Sequence, residues 1–223
     1  MPTMTPTTHL DVLAAARHMP LGSRLVIHDL SWNEYECVVD NLKARSLRRH
    51  SYDGGRLEVV MISEEHERYA WLIDKFIVEF CIAHDFMLEG YGQATWKSKA
   101  LSQGAQADHC YYVVNAPRVI GKKQIRLGTD PPPDIVLEVD LTSDSMRKLW
   151  IYAGLGVPEV WRFDGERFHF YQLGDGDYTE TPATRCLPGL TGSALIEGLA
   201  NCSVMGDMEA LRTFRRRAKK LKK

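Results

Sequence analysis

Long apolar stretches, paired cysteines and internal repeats are all missing from this chain of 223 residues. No apolar run reaches the roughly 18 residues that suggest a membrane-spanning helix, so we expect no membrane association. The N-terminal segment has neither a basic start nor an extended apolar stretch, and we do not interpret it as a signal peptide. The length suits one medium-sized α/β domain or two very small ones.

The five cysteines are scattered along the sequence and form no Cys-x-x-Cys pair. No histidine stands at ligand spacing beside them, which argues against a zinc site, and an odd count is a poor basis for a disulfide framework. We therefore expect reduced thiols in a cytoplasmic protein.

The formal net charge of −1 hides a basic C-terminus on an acidic body. Residues 212–223 hold eight Lys and Arg residues and no acid, which leaves 20 basic and 29 acidic groups elsewhere. We predict a flexible N-terminal segment over 1–27, one domain over 28–211 and a basic tail over 212–223. Such a tail favours nucleic-acid binding. The acidic body argues against a broad DNA-binding surface, so any DNA would have to bind in a local groove.

Capping and turn signals predict an α/β fold with a mixed sheet flanked by helices, and with a helix and a hairpin near the N-terminus. Ser31 and Glu34 form a capping-box pattern, Asp53-Gly54 marks a hairpin, and Ser63 precedes a long helix. Further along we predict strands over 92–101 and 108–115 joined by a loop at Gly104, a strand over 134–141, a helix over about 143–155, a hairpin at Asp164-Gly165, a short helix near 193–199 and a final basic helix.

Carboxylates crowd one face of the predicted strand over 134–141. Strand alternation places Asp134, Glu138 and Asp140 on that face. Three unpaired carboxylates would repel each other and be costly to desolvate. The compensating charge could be a hard divalent cation such as Mg²⁺ or Mn²⁺, or the Arg147–Lys148 pair on the next helix. Alternatively, this is an edge strand with a solvated polar face. The opposite face is apolar and holds Ile135, Leu137, Val139 and Leu141.

A second acid, Asp108, begins the strand "DHCYYVV". If that strand neighbours residues 134–141, Asp108 and Glu138 could bind one ion. An aspartate at a strand start is also common without any such role.

The stretch "PPPDIVLEVD…KLWIYAGLGVPEVWRFDG…FYQL" resembles the Uma family of restriction endonucleases, a group within the PD-(D/E)XK nuclease superfamily. Four shorter segments fit the same family in order: "YDGGRLEVVMIS", "EEH", "GAQAD" and "LPGL". The resemblance covers about residues 28–200, and its most specific block is the one that ends in "GVPEVW". It implies a restriction-endonuclease-like fold.

The resemblance also implies a metal-dependent nuclease site. Asp108 and Glu138 take the positions of the acids that hold Mg²⁺, with the Val139 carbonyl as a further ligand. Lys148 matches the basic residue that assists attack by water, and Glu65 matches an additional acid at the start of the first core helix. An active site of this kind would hydrolyse DNA phosphodiester bonds. A homodimer is plausible for an enzyme that cuts two strands.

This sequence departs from the family pattern in two places. The loop reads Gln106-Ala107-Asp108 where the family commonly has Glu-Pro-Asp, and Asp140 stands where the superfamily often has lysine. Asp134 could orient the start of its strand, and Asp140 could pair with Arg147 or Lys148.

Several other residues have weaker signals. A solvated helix lysine is the alternative for Lys148, and a structural role is the more common one for His66. Lys97 and Lys99 could reach a phosphate backbone or lie on a solvated strand face. We expect the five tryptophans to belong mainly to the core rather than to stack on bases.

Two hypotheses of different classes follow. The first is an Mg²⁺- or Mn²⁺-dependent DNA endonuclease that uses Asp108, Glu138 and Lys148. The second is a nuclease-fold protein without catalytic activity that binds nucleic acid or another protein. A glycosidase with a carboxylate pair is a distant third, because nothing in the sequence indicates a sugar cleft.

Overall fold

The computed structural model describes residue 15 and residues 19–42, 48–141 and 144–220. Its strands are β1 (Arg24–Ile27), β2 (Arg48–Asp53), β3 (Arg56–Met61), β4 (Glu89–Gly90), β5 (Thr95–Ser98), β6 (Gln103–Gln106), β7 (His109–Tyr112), β8 (Ile135–Val139), β9 (Glu159–Phe163), β10 (Phe168–Gly174) and β11 (Asp177–Thr181). Its helices are α1 (Trp32–Leu42), α2 (Glu64–His84), α3 (Ala116–Val119), α4 (Met146–Gly154), α5 (Gly192–Met205) and α6 (Asp207–Ala218).

The strands form two sheets. The first has the order β1-β3-β2-β6-β5 with antiparallel neighbours, and the second has the order β11-β10-β9-β8-β7-β4. Only β8 and β9 run parallel in the second sheet, because α4 carries the chain from one to the other. The predicted mixed α/β fold is confirmed, with its strands divided between two sheets.

The acid-bearing strand β8 lies inside the second sheet, between β7 and β9. All five of its residues are buried. Ile135 and Leu137 pack in one apolar cluster with residues of α2, α5 and α6, whereas Val136 packs in another with residues of α4. The alternative of an edge strand with a solvated face is therefore wrong.

Local signals placed most elements correctly. Ser31 N–H donates to Glu34 Oε2 at 2.8 Å, which forms the predicted capping box ahead of α1. Ser63 Oγ accepts from the backbone N–H of His66 at 3.1 Å and caps α2. The hairpins β2–β3 and β9–β10 also form as predicted. The start of the helix predicted from residue 143 lies outside the described residues, and α4 begins at Met146.

The predicted loop at Gly104 is wrong, because residues 103–106 form strand β6 between β2 and β5. A Cβ atom added at Gly104 would lie 2.5 Å from the Tyr35 hydroxyl. Glycine therefore allows α1 to approach the sheet closely, a use of glycine inside strands that resembles a turn signal in sequence.

Ordered structure extends past both predicted domain boundaries. Strand β1 lies within the segment 1–27 and pairs with β3. Helix α6 continues past residue 212, and its buried Phe214 contacts Phe76 of α2 at a ring-centroid distance of 4.8 Å. Arg215 forms an ion pair with Glu79, so part of the basic charge is neutralised within the protein.

The tryptophans divide between core and surface. Trp96 and Trp161 are buried, as expected. Trp71 and Trp150 are exposed, so the prediction of a mainly structural role does not hold for them. All five cysteines are free thiols. None of the helices in the described ranges is long and apolar enough to cross a membrane.

We expect Asp134→Ala to lower the free energy of unfolding by about 3 kcal/mol, because the buried Asp134 carboxylate accepts the backbone N–H groups of Val113 and Asn115 at 2.7 and 2.8 Å. Urea unfolding followed by circular dichroism measures this. The exposed Glu166→Ala is the matched control and should change stability by less than about 0.5 kcal/mol. Equal effects of the two variants on stability would contradict the stabilising role of the Asp134 carboxylate.

Candidate active site

The pairing of β7 with β8 brings Asp108 and Glu138 together. His109 lies opposite Leu137 in this antiparallel pair, so the next position places Asp108 opposite Glu138. The backbone N–H of Asp108 donates to the Leu137 carbonyl at 3.2 Å and continues the ladder. Both acidic side chains are buried and line one cleft together with Lys148.

Asp108 is held by three donors. Its Oδ1 accepts from Arg49 Nε at 2.7 Å, while Oδ2 accepts from the Val139 backbone N–H at 2.8 Å and lies 3.1 Å from His66 Nε2. Burial alone would raise the pKa of Asp108, but the His66 contact and the charges of Arg49 and Lys148 hold this pKa well below its usual range. The carboxylate is therefore ionised.

Glu138 forms a buried ion pair with Lys148. Lys148 Nζ donates to Glu138 Oε2 at 2.8 Å and to the Gln106 carbonyl at 3.2 Å, and the Tyr152 hydroxyl donates to Oε1. Burial and, to a smaller extent, the Asp108 carboxylate raise the pKa of Glu138 to about 7, because together they outweigh the attraction of Lys148. Burial lowers the pKa of Lys148, but Glu138 and Asp108 more than reverse this and raise it.

Lys148 is thus not a solvated surface lysine, which was the alternative reading of the sequence. It lies in the first turn of α4, and only 13% of its side chain is exposed. Because α4 connects β8 to β9, its first turn places the Lys148 ammonium group beside Glu138, near the end of β8.

Glu65 does not line this cleft, contrary to the role as an additional acid of the site that the family resemblance implies. It is exposed and lines a different cleft with Arg68 and Tyr69. Successive helical residues are turned by about 100°, so the next two residues face the site instead. His66 contacts Asp108, and Glu67 accepts from Arg49 Nη2 at 2.5 Å.

Arg49 is the residue that the sequence analysis missed. Its side chain is 3% exposed and bridges Asp108 and Glu67, so it compensates much of the negative charge. Arg49 lies on β2 of the first sheet, whereas Asp108 precedes β7 of the second. The only signal in the sequence was the pair Arg48-Arg49 just before the predicted hairpin, which does not distinguish a buried cation from an exposed one.

The other two carboxylates of the β8 segment have structural partners. Asp140 forms its ion pair with Arg162 rather than with Arg147 or Lys148, and it accepts from the Ser145 backbone N–H at 2.9 Å. Asp134 binds the segment after β7, which agrees with the predicted role at the start of its strand.

Two histidines in the cleft carry a buried ring nitrogen without a hydrogen-bond partner among the described residues: Nδ1 of His66 and Nε2 of His50. Burial, together with the nearby charges of Lys148 and Arg49, lowers the pKa of His50 to about 3. The His50 imidazole is therefore neutral, and both of these unpaired ring nitrogens are almost inaccessible to solvent.

The cleft fits a hard cation only if water completes the coordination. The described residues contain no group of three or more His, Cys, Asp or Glu side chains arranged to hold a metal. A carboxylate offers about four lone-pair positions. The contacts above occupy about three on Asp108 and two on Glu138, so both retain acceptor capacity. Mg²⁺ suits such a site, since it commonly binds one or two carboxylates and keeps several waters.

The fold and the buried acid–base cluster define a nuclease-like α/β protein. A solved structure described as a putative nuclease belonging to DUF820, from Anabaena variabilis, superposes with a TM-score of 0.51 at 10% identity and covers 75% of this chain and 97% of that one. The model of the Uma2 family, described as "Putative restriction endonuclease", matches residues 32–205. The chain belongs to the Uma2 family, which confirms the resemblance seen in the sequence. No curated protein matches the chain.

We expect Arg49→Met to lower the free energy of unfolding by about 3 kcal/mol, because it leaves the buried Asp108 carboxylate without its closest cation. Adding Asp108→Asn should recover part of this loss, so the two changes should be non-additive by more than about 1 kcal/mol. Denaturant unfolding of the four proteins of this cycle measures the interaction.

Lys75→Met is the control for that cycle, because Lys75 pairs with Asp74 while 39% of its side chain is exposed. It should change stability by less than about 1 kcal/mol. If the effects of the Arg49 and Asp108 substitutions on stability were simply additive, the ion pair between these residues would not stabilise the fold.

Proposed function

We propose that this chain is a metal-dependent endonuclease that hydrolyses DNA phosphodiester bonds in the cleft of Asp108, Glu138 and Lys148. Family membership and the nuclease-like fold support the general class. The single observation that carries the proposal is the Lys148 ammonium, which lies 2.8 Å from Glu138 inside the cleft that Asp108 also lines. An ammonium group at this position can stabilise negative charge that develops on a phosphoryl group bound in the cleft.

Asp108, Glu138 and the Val139 carbonyl would hold Mg²⁺ or Mn²⁺. The bound cation supplies positive charge that polarises a phosphoryl oxygen and increases the acidity of water. Lys148 stabilises the negative charge that develops on the phosphoryl group and orients the attacking water. His66 and Arg49 position Asp108, since each contacts one of its oxygens.

The altered loop does not displace the site. Ala107 is fully buried, and the Gln106 carbonyl accepts a hydrogen bond from Lys148. This backbone contact is independent of the side chain at position 106. The departure from Glu-Pro-Asp thus removes one carboxylate but keeps both Asp108 and the lysine in place.

The second candidate is a binding module without catalytic activity. It is favoured by one observation: Arg49 and Lys148 already compensate Asp108 and Glu138, so the fold does not need a metal to offset these charges. Homodimerisation and a cytoplasmic location stay predictions under either candidate.

We expect the wild-type protein to cleave DNA in Mg²⁺ or Mn²⁺, and Asp108→Asn and Glu138→Gln to reduce the rate by at least about 100-fold. Both substitutions keep the side-chain shape while removing the charge that would bind the cation. Gel assays on supercoiled, linear and single-stranded DNA measure the cleavage, and titration calorimetry with Mn²⁺ measures the binding. The two variants should also lose Mn²⁺ affinity.

Lys148→Met separates catalysis from metal binding. It should reduce cleavage by about 100-fold yet retain Mn²⁺ affinity, because the ammonium group acts on the phosphate rather than on the cation. Lys123→Met, at an exposed position outside the cleft, is the matched control and should cleave like the wild type. Equal cleavage by all variants would reject the assigned roles, and DNA binding without cleavage by the wild type would favour the binding module.

A further inference from the structure

A second groove continues from the catalytic cleft along the outer side of α4. Its lining residues are Ser51, Asp53, Arg56, Arg147, Trp150 and Ile151. Two of these residues, Ser51 and Arg147, also line the catalytic cleft. The groove and the cleft are therefore adjacent, with Ser51 and Arg147 between them.

Trp150 forms an exposed aromatic surface in the groove. It is 65% exposed, although it lies only two positions after the nearly buried Lys148. Two residues correspond to about 200° of helical rotation, so α4 directs the ammonium group towards Glu138 and the indole away from the core. Tryptophan is enriched at binding interfaces, because its indole combines a large apolar face with a polar N–H group.

The charge of the groove suits a phosphate. Arg147 is exposed, and no ion pair or hydrogen bond of its side chain occurs within the parts of the chain that the structure describes. Arg56 lies on β3 and pairs with Glu58 at 2.5 Å. The one acid of the lining, Asp53, accepts a hydrogen bond from Gln103 Nε2. An available guanidinium beside an aromatic ring is the combination that binds single-stranded nucleic acid.

We propose that this groove binds an unpaired nucleotide next to the scissile phosphate, with its base stacked on Trp150 and its phosphate on Arg147. The inference rests on the proposed nuclease function and adds the substrate class, which is DNA that is single-stranded or locally unpaired. A base in a duplex has both faces covered by its neighbours and cannot stack on a side chain unless it leaves the helix. The acidic body, which disfavours a broad duplex-binding surface, agrees with such a local contact.

The test measures binding without cleavage. Fluorescence anisotropy in EDTA compares three labelled probes: a short oligothymidylate, an abasic oligonucleotide of the same length and a blunt duplex. The wild type should bind the oligothymidylate about tenfold more tightly than the abasic probe, since one stacked base contributes on the order of a factor of ten in affinity. The blunt duplex should bind no better than the abasic probe.

Trp150→Ala should remove the preference for bases and leave the affinity for the abasic probe unchanged. Trp150→Phe, which keeps an aromatic face, should retain part of the preference. Arg147→Gln should weaken both single-stranded probes and reduce the salt dependence of binding by about one ion contact. The control is Trp71→Ala, because Trp71 is also exposed but lies on α2 outside both grooves.

The outcomes separate this inference from the proposed function. If Trp150→Ala binds the base-bearing probe like the wild type, or if the duplex binds best, the nucleotide site is rejected even when Mg²⁺-dependent cleavage is observed. If the base preference depends on Trp150 but no DNA is cut in Mg²⁺ or Mn²⁺, the nucleotide site stands and the endonuclease function fails. Binding of none of the three probes would overturn the site as well, and would leave the groove to a protein partner.

Discussion

The burial of two carboxylates beside two cations is the constraint on which this structure depends. Asp108 and Glu138 are almost inaccessible to solvent, and each contacts one basic side chain, Arg49 or Lys148. Removing charges from water is expensive, and mutual attraction offsets the cost only when the geometry is good and further hydrogen bonds form. Here those bonds come from Val139, His66 and Tyr152. A protein that needed only stability would gain little from this arrangement, which favours a functional reason for it.

The topology explains how the four groups meet. A right-handed crossover is the usual way to join parallel neighbours, and the crossover between β8 and β9 runs through α4, which carries Lys148. The antiparallel neighbour β7 places Asp108 opposite Glu138. The first sheet then supplies Arg49 from β2. Each group is thus fixed by backbone hydrogen bonds of a different element, and the site requires all of them.

Much of this could be predicted from the sequence, because the signals were local. Alternation along β8 identified Glu138, the family motifs identified Asp108 and Lys148, and caps and turns identified α1, α2 and two hairpins. The errors arose where tertiary contacts decide. Gly104 looks like a turn residue until Tyr35 is known to lie against it, and Glu65 differs from His66 only by one step of helical rotation. Arg49 could not be found at all, since its partners Glu67 and Asp108 lie on α2 and just before β7, and only the tertiary fold brings them to β2.

The ion pair between Arg49 and Asp108 also connects β2 of the first sheet to the residue before β7 of the second, and it does so at the wall of the cleft. An anion bound at Arg49 would compete with Asp108 and Glu67 for the same guanidinium group. Ligand occupancy and the attachment of one sheet to the other are therefore linked equilibria: whatever displaces Arg49 must also change how firmly the sheets hold together.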